Sequence, residues 1–178
     1  GLRASDRVAF VLCLEEKPDG PAGEGWEVDR DKVDSAVRVA FRDYKVKAFY
    51  ADVALWESYL DDWAEEFGES VALKASERHA FAWDMRQSLQ RVTRAHERLL
   101  RAVHDKKVQY DGNPNMYRHA LNVFRRENNY GVSFGKESRE SPRKVDLYAA
   151  LLLAHEALHN LRTRGSKKKE LSGRVYFI

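Results

Sequence analysis

Two acidic residues stand where a carboxylate costs free energy unless a cation neutralises it. Asp52 follows an apolar segment that predicts a strand, and Asp146 lies in the first turn of a helix that is apolar on nearly all sides. Sites in α/β proteins form outside the carboxyl ends of strands, and Mg²⁺ and Mn²⁺ prefer oxygen ligands. Two such ions about 3.5–4 Å apart hydrolyse phosphodiesters. The alternative is that both residues cap helices, as Asp often does.

The segment from His155 to His159 is a literal H-E-x-x-H motif. On a helix it places two imidazoles one turn apart, with Glu156 positioned to act as the base on a zinc-bound water. A zinc site needs a third ligand, and Glu170 is the only acidic residue or histidine after His159. A rotation of about 100° per residue puts His155 opposite Asp146 on the helix. If Asp146 faces a site, the histidines are predicted to face outward.

Basic residues immediately precede Asp146, where a nuclease needs cations to hold a phosphodiester. They are Lys136, Arg139, Arg143 and Lys144. A second basic set recurs at steps of three and four residues, which places it on one face of a predicted helix. This set is Arg91, Arg94, Arg98 and Arg101. That face either follows a phosphate backbone or is simply solvated.

Length, composition and charge limit the classes of protein to which the chain can belong. Its 178 residues are 43% hydrophobic and 33% charged, which suits one domain with its own core. A single cysteine excludes an intramolecular disulfide. No apolar run approaches the roughly 20 residues of a membrane span, so we expect a soluble intracellular protein. Residues 1–73 carry 9 basic and 17 acidic side chains, against 22 and 11 in residues 74–178. The basic half favours a polyanionic partner such as nucleic acid.

Alternating strands and helices predict an α/β layered domain. Strands are expected at residues 7–15, 46–51, 71–73 and 130–135. Helices are expected at residues 29–44, 54–67 and 77–103, from 113, and from 142 to about 162. The domain is expected to comprise residues 1–165, followed by a basic C-terminal tail at residues 166–178.

Three segments have a distinctive order and spacing. They are FYADVALWESYLDDWAEEFGE (49–69), YDGNPNMYRHALNVFRR (110–126) and GKESRESPRKVDLYAALLLAHEA (135–157). They contain a tyrosine–aspartate strand end before a tryptophan-rich helix, a turn before a histidine-bearing helix, and a basic-apolar-aspartate helix start. Together they resemble the nuclease domain of the large terminase subunit of tailed bacteriophages, over most of the chain.

The resemblance implies a ribonuclease H-like fold, with a mixed central sheet flanked by helices. It implies a metal-dependent endonuclease that cuts concatemeric double-stranded DNA for packaging, with a two-metal Mg²⁺ or Mn²⁺ site. Asp52 and Asp146 match its catalytic metal ligands, and Asp6 matches a further acid. The family's first catalytic aspartate ends a strand just before the segment that resembles residues 1–12. That strand and its aspartate are therefore expected to be absent from this chain.

The partners and location also follow from the resemblance. It implies contact with double-stranded DNA, the small terminase subunit and the portal, in the host cell cytoplasm and without a membrane. Lys136, Arg143 and Lys144 are predicted to contact phosphates, with Arg139 as a further candidate. Two other hypotheses stay open: a zinc metallopeptidase that uses His155, Glu156 and His159, and a non-catalytic DNA-binding module.

Overall fold

A computed structural model describes the backbone of residues 1–138 and 140–171, with side chains as far as residue 164. The helices in this part of the chain are α1 (Arg30–Asp43), α2 (Glu57–Phe67), α3 (Leu89–His104), α4 (Pro114–Leu121) and α5 (Asp146–Leu171), with a 3-10 turn at Gly20–Gly23. The strands are β1 (Val8–Ala9), β2 (Gln109–Tyr110), β3 (Phe124–Asn128) and β4 (Gly131–Gly135). The predicted α/β class is therefore confirmed.

The strands form two small sheets rather than one central sheet in the described residues. β1 pairs with β2 in parallel, and β3 pairs with β4 as an antiparallel hairpin. A single parallel bridge joins Ala51 to Ala82. The strand predicted at 130–135 is confirmed as β4, but the strand predicted at 7–15 is only two residues long. The strands predicted at 46–51 and 71–73 are wrong, apart from the Ala51 bridge.

Local capping explains where two of the helices begin. The Asp29 carboxylate accepts a hydrogen bond from the Lys32 N–H at the start of α1. The Asn113 side chain accepts hydrogen bonds from two N–H groups of α4, whose first residue is Pro114. Such caps satisfy donors that have no partner inside a helix. The helices predicted after Asp29 and Asn113 are confirmed.

Other helix bounds differ from the prediction for identifiable reasons. α3 begins at Leu89 and not at residue 77, because the His79 ring accepts hydrogen bonds from the N–H groups of Phe81 and Ala82. Such local bonds compete with a helix. α2 begins at Glu57 and not at residue 54, because Leu55 has a positive φ of 66°. α5 begins at Asp146 and extends to Leu171, into the predicted tail. Residues 172–178 lie outside the described part.

Two hydrophobic clusters hold the helices together. One is formed by α3, α5 and buried residues between them, including Tyr50 and Trp83. The other joins α1 and α2 around Leu60, Trp63 and Phe81. The β3–β4 hairpin packs on α3, where Phe134 lies 5.4 Å from the His96 ring centre. The first cluster fixes the helix that begins with Asp146. Within the described residues, no helix is both long enough and apolar enough to cross a bilayer.

Candidate active site at the start of helix α5

Asp146 is exposed on the first turn of α5, a helix whose next residues are buried. The preceding backbone is held by α4, because the Asn122 amide donates to the carbonyl of Lys144 at 2.9 Å. The N–H of Leu147 donates to Nδ1 of His119 at 3.0 Å. That N–H belongs to the first turn, where a helix offers no acceptor of its own. Two contacts from α4 therefore fix the backbone on both sides of Asp146.

His119 is fully buried, and its second ring nitrogen is also occupied. Nε2 lies 2.8 Å from Oε2 of Glu16. Because Nδ1 accepts from an N–H, the ring proton of the neutral imidazole is on Nε2, which donates to the carboxylate. Glu16 also binds Arg118 through both of its oxygens at 3.0 Å, and this hydrogen bonding lowers the pKa of Glu16. We call this arrangement the Glu16–His119–Leu147 chain.

Sequence reasoning missed the Glu16–His119–Leu147 chain. No metal-ligand spacing surrounds His119 in the sequence, so no motif marks it as a functional residue. One signal was available: His119 follows Met116 by three residues, and Met116 is a buried residue of the same helix. Residues three apart share a helical face. The contact with Glu16 spans 103 positions and has no local signature.

The residues predicted to contact phosphates differ in their exposure and in their partners. Lys144 has a mostly buried side chain, 14% exposed, and its Nζ lies 3.2 Å from the exposed carboxylate of Asp19. Arg143 is exposed and lies 3.7 Å from Glu137. Lys136 is half-buried, and its carbonyl accepts a hydrogen bond from Arg126. Arg139 lies outside the described residues. The described cations are thus close in sequence to Asp146 but partly paired with acids.

Asp52 lies in a loop, where backbone donors hold its side chain. Its Oδ1 accepts hydrogen bonds from the N–H groups of Val53 and Met85, each at 3.0 Å, so Asp52 joins two loops. Met85 lies four residues before Leu89, the first residue of α3. Tyr148, two residues after Asp146, packs on His96 in the middle of α3. The contacts therefore place Asp52 beside the loop before α3 and Tyr148 beside the middle of that helix.

Within residues 1–138 and 140–164, no group of three or more histidine, cysteine or acidic side chains is arranged to hold a metal ion. Asp6, the further predicted ligand, accepts hydrogen bonds from Arg3 and from the N–H of Val8. The bond from Arg3 lowers the pKa of Asp6. Asp146 and Asp6 are exposed, whereas Asp52 is half-buried.

The glutamate of the H-E-x-x-H motif is buried, and both of its histidines are half-buried and not on a fully exposed face. Glu156 is 4% exposed, and its Oε2 accepts hydrogen bonds from Arg98, the shorter at 2.6 Å. A glutamate held in this way is not available as a base for a metal-bound water. His155 is half-buried, and burial lowers its pKa. This geometry does not favour the zinc peptidase hypothesis.

Comparison with known proteins gives relatives without a stated activity. The chain is 35% identical over 179 residues to the "Gene 13 protein" of Mycobacterium phage L5, and equally to that of Mycobacterium phage D29. Both alignments cover all of this chain but 29% of the relative. No protein-family model and no solved structure matches the chain. The chain is thus related to bacteriophage proteins and spans less than a third of their length.

Proposed function

We propose that this chain is the metal-dependent endonuclease domain of a bacteriophage large terminase subunit, with a ribonuclease H-like fold. The observation that supports it most directly is Asp146, an exposed carboxylate at the start of a largely buried helix. Its backbone is fixed by the Glu16–His119–Leu147 chain, and basic residues precede it. A rigidly held carboxylate beside cations suits hydrolysis of a phosphodiester. The relatives from phages, each much longer than this chain, are consistent with a domain of a larger viral enzyme.

The proposed reaction is hydrolysis of double-stranded viral DNA with Mg²⁺ or Mn²⁺, in the host cytoplasm and with the small terminase subunit and portal as partners. Asp146 is proposed as one metal ligand. The resemblance implies Asp52 as a further ligand, and the side chain of Asp52 is bound to two backbone donors. Asp52 stays a prediction. Lys144 and Arg143 are proposed to exchange their exposed acidic partners, Asp19 and Glu137, for phosphates.

The test is cleavage of supercoiled plasmid with Mn²⁺ by the wild-type chain and by Asp146→Asn. Loss of a metal ligand should lower the cleavage rate by roughly 100-fold or more. Substitution of a residue that only hydrogen-bonds to a metal ligand already lowers metal affinity or activity by about 10–100-fold. Asp31→Asn is the matched control, since Asp31 is also an exposed acid in the first turn of a helix, α1. It should cut like wild type.

Two outcomes separate the site from the activity. Cutting by Asp146→Asn at the wild-type rate would show that Asp146 is not in the site. The full-length phage L5 relative is assayed beside the chain, because the chain covers only 29% of it. If neither cuts with Mn²⁺ or Mg²⁺, the endonuclease proposal is wrong.

A further inference from the structure

Three arginines of α3 line a cavity that the proposed active site does not use. Arg91, Arg94 and Arg98, together with Gln90, enclose about 240 Å³. They are three and four residues apart, so they lie along one face of the helix. We call Arg91, Arg94 and Arg98 the arginine stripe. Two of its members are held in place by buried groups, which distinguishes it from a row of solvated side chains.

Arg91 is held by an aromatic ring. Its guanidinium carbon lies 4.2 Å from the centre of the Trp83 ring, and Trp83 is fully buried. A guanidinium that lies over an aromatic face is attracted by the ring and keeps its N–H groups as hydrogen-bond donors. Burial lowers the pKa of Arg91, which shows that the cation is partly removed from water. Arg91 is thus a partly desolvated cation in a defined orientation.

Arg98 is held by the glutamate of the H-E-x-x-H motif. Glu156 accepts from Nη2 of Arg98 at 2.6 Å and from Nε at 3.2 Å. Its other oxygen lies 3.3 Å from the Asn160 amide, which in turn reaches the hydroxyl of Tyr50. Because the Glu156 side chain is only 5% exposed, the ion pair fixes the guanidinium and leaves its Nη1 group as a further donor. The motif glutamate therefore acts here as a positioning residue for an arginine.

The charges around the cavity do not cancel. Glu156 is the carboxylate next to the stripe and is neutralised by Arg98. In the described part of the chain, no carboxylate forms an ion pair with Arg91 or Arg94, and Arg94 is exposed. Arg164 of α5 interacts with Arg91 and adds positive charge. The nearby Glu97 faces the β3–β4 hairpin, where its carboxylate accepts a hydrogen bond from the N–H of Val132. The stripe thus keeps an excess of positive charge beside fixed donors.

We propose that the arginine stripe is a phosphate-binding site that holds the backbone of double-stranded DNA. Arginine binds phosphate with paired, directional hydrogen bonds. Arg91 and Arg98 are about 10 Å apart along the helix axis, a length over which one DNA strand presents about three phosphates. The identity of the polyanion as DNA rests on the proposed function, whereas the anion site itself does not.

The test is the affinity for a 30-base-pair duplex in EDTA, measured by fluorescence anisotropy over a range of salt concentrations. The Arg91→Ala/Arg94→Ala variant should bind at least about tenfold more weakly than wild type near 0.1 M salt. The slope of log K against log[salt] should fall by about 1.8, since each phosphate contact contributes about 0.9. Arg94→Glu, a change at an exposed residue, should weaken binding without unfolding the chain, which circular dichroism checks.

The matched control is Lys45→Ala/Lys47→Ala, which removes the same charge from exposed lysines between α1 and α2. It should change affinity by less than about twofold. Equal weakening in both double variants would show a general charge effect and overturn the proposal. So would unchanged binding by the arginine variant. Polyphosphate is measured in parallel: if it binds through the stripe and the duplex does not, the site binds anions but not DNA.

Binding in EDTA does not depend on cleavage, so the two proposals fail separately. Stripe-dependent binding by a protein that never cuts would remove the endonuclease and keep the phosphate site. Cutting that depends on Asp146, together with normal binding by the arginine variant, would remove the phosphate site and keep the endonuclease.

Discussion

His119 has both ring nitrogens in hydrogen bonds although its side chain is fully buried. One bond connects it to Glu16 near the N-terminus, and the other satisfies a first-turn donor of α5. A buried donor that loses its partner costs about 1–3 kcal/mol. The orientation of Asp146 is therefore coupled to a residue 130 positions earlier in the chain.

This arrangement predicts different costs for two substitutions. His119→Ala leaves the Leu147 N–H unsatisfied and a cavity behind, so we expect it to lower the free energy of unfolding by about 2–4 kcal/mol. His119→Asn places a carbonyl oxygen near the position of Nδ1 and should recover about 1 kcal/mol of that loss. Urea denaturation measures both. His104→Ala, at a residue with an 89% exposed side chain, is the control and should be neutral. Equal losses for Ala and Asn would contradict the role of Nδ1.

The H-E-x-x-H motif shows which part of a prediction from helical rotation agrees with the structure. Helical rotation predicts that His155 and Asp146 lie on opposite sides of α5, and they do: Asp146 is exposed whereas His155 and Glu156 lie against α3. Periodicity gives relative directions around a helix, but which direction is inside depends on α3, whose contacts with α5 are separated by about 50 residues or more.

At the scale of elements, the helices capped by Asp29 and Asn113 were predictable, whereas most strands were not. Asp29 and Asn113 act through neighbours two or three residues away, so the sequence contains the whole signal. A strand needs a partner that is remote in the chain. Residues 46–51 are apolar enough for a strand, but their backbone meets irregular segments near residues 72 and 82 through a few bonds. Apolar composition thus predicted burial correctly and pairing incorrectly.

The turn before α2 offers a stabilising substitution. Leu55 has a φ of 66°, and its side chain is 76% exposed. A left-handed conformation costs a leucine roughly 1–2 kcal/mol, whereas asparagine tolerates it. We expect Leu55→Asn to raise the free energy of unfolding by about 0.5–1 kcal/mol, measured by urea denaturation. Leu121→Asn is the control, because Leu121 is also exposed but lies within α4. An equal gain in both variants would show that exposure and not φ is the cause.

Across the whole molecule, the charge asymmetry of the sequence corresponds to the two hydrophobic clusters. The acidic half supplies α1 and α2, which form the second cluster, and the basic half supplies α3, α4 and α5. The predicted active site and the arginine stripe both lie in the basic half, one at the start of α5 and one along α3. Both proposals therefore place binding in the half of the chain that the charge pattern marks as basic, although the contacts that shape this half could not be predicted.

The same basic half contains buried His96 and half-buried His155, which make global stability sensitive to mild acid. Burial lowers the pKa of both below the ordinary value of 6.5. Below pH 6.5 the unfolded chain binds protons that the folded chain does not yet bind, so the free energy of unfolding falls as the pH falls. The carboxyl groups with a lowered pKa, such as Asp34 and Glu16, titrate in the folded state below 3.8 and 4.5. These carboxyl groups therefore change the free energy of unfolding at a lower pH than the histidines do.

We therefore expect the urea midpoint of the wild-type chain to be lower at pH 5 than at pH 7.5, with most of the change below pH 6.5. His155→Leu should reduce this change. Nδ1 of His155 is buried and has no hydrogen-bond partner among the described residues, so leucine removes a titrating group without breaking a bond of that nitrogen. His104→Gln removes an exposed histidine and should leave the pH dependence as it is in wild type. The same pH dependence in His155→Leu as in wild type would mean that burial of His155 does not limit stability in acid, and that His96 alone causes the effect.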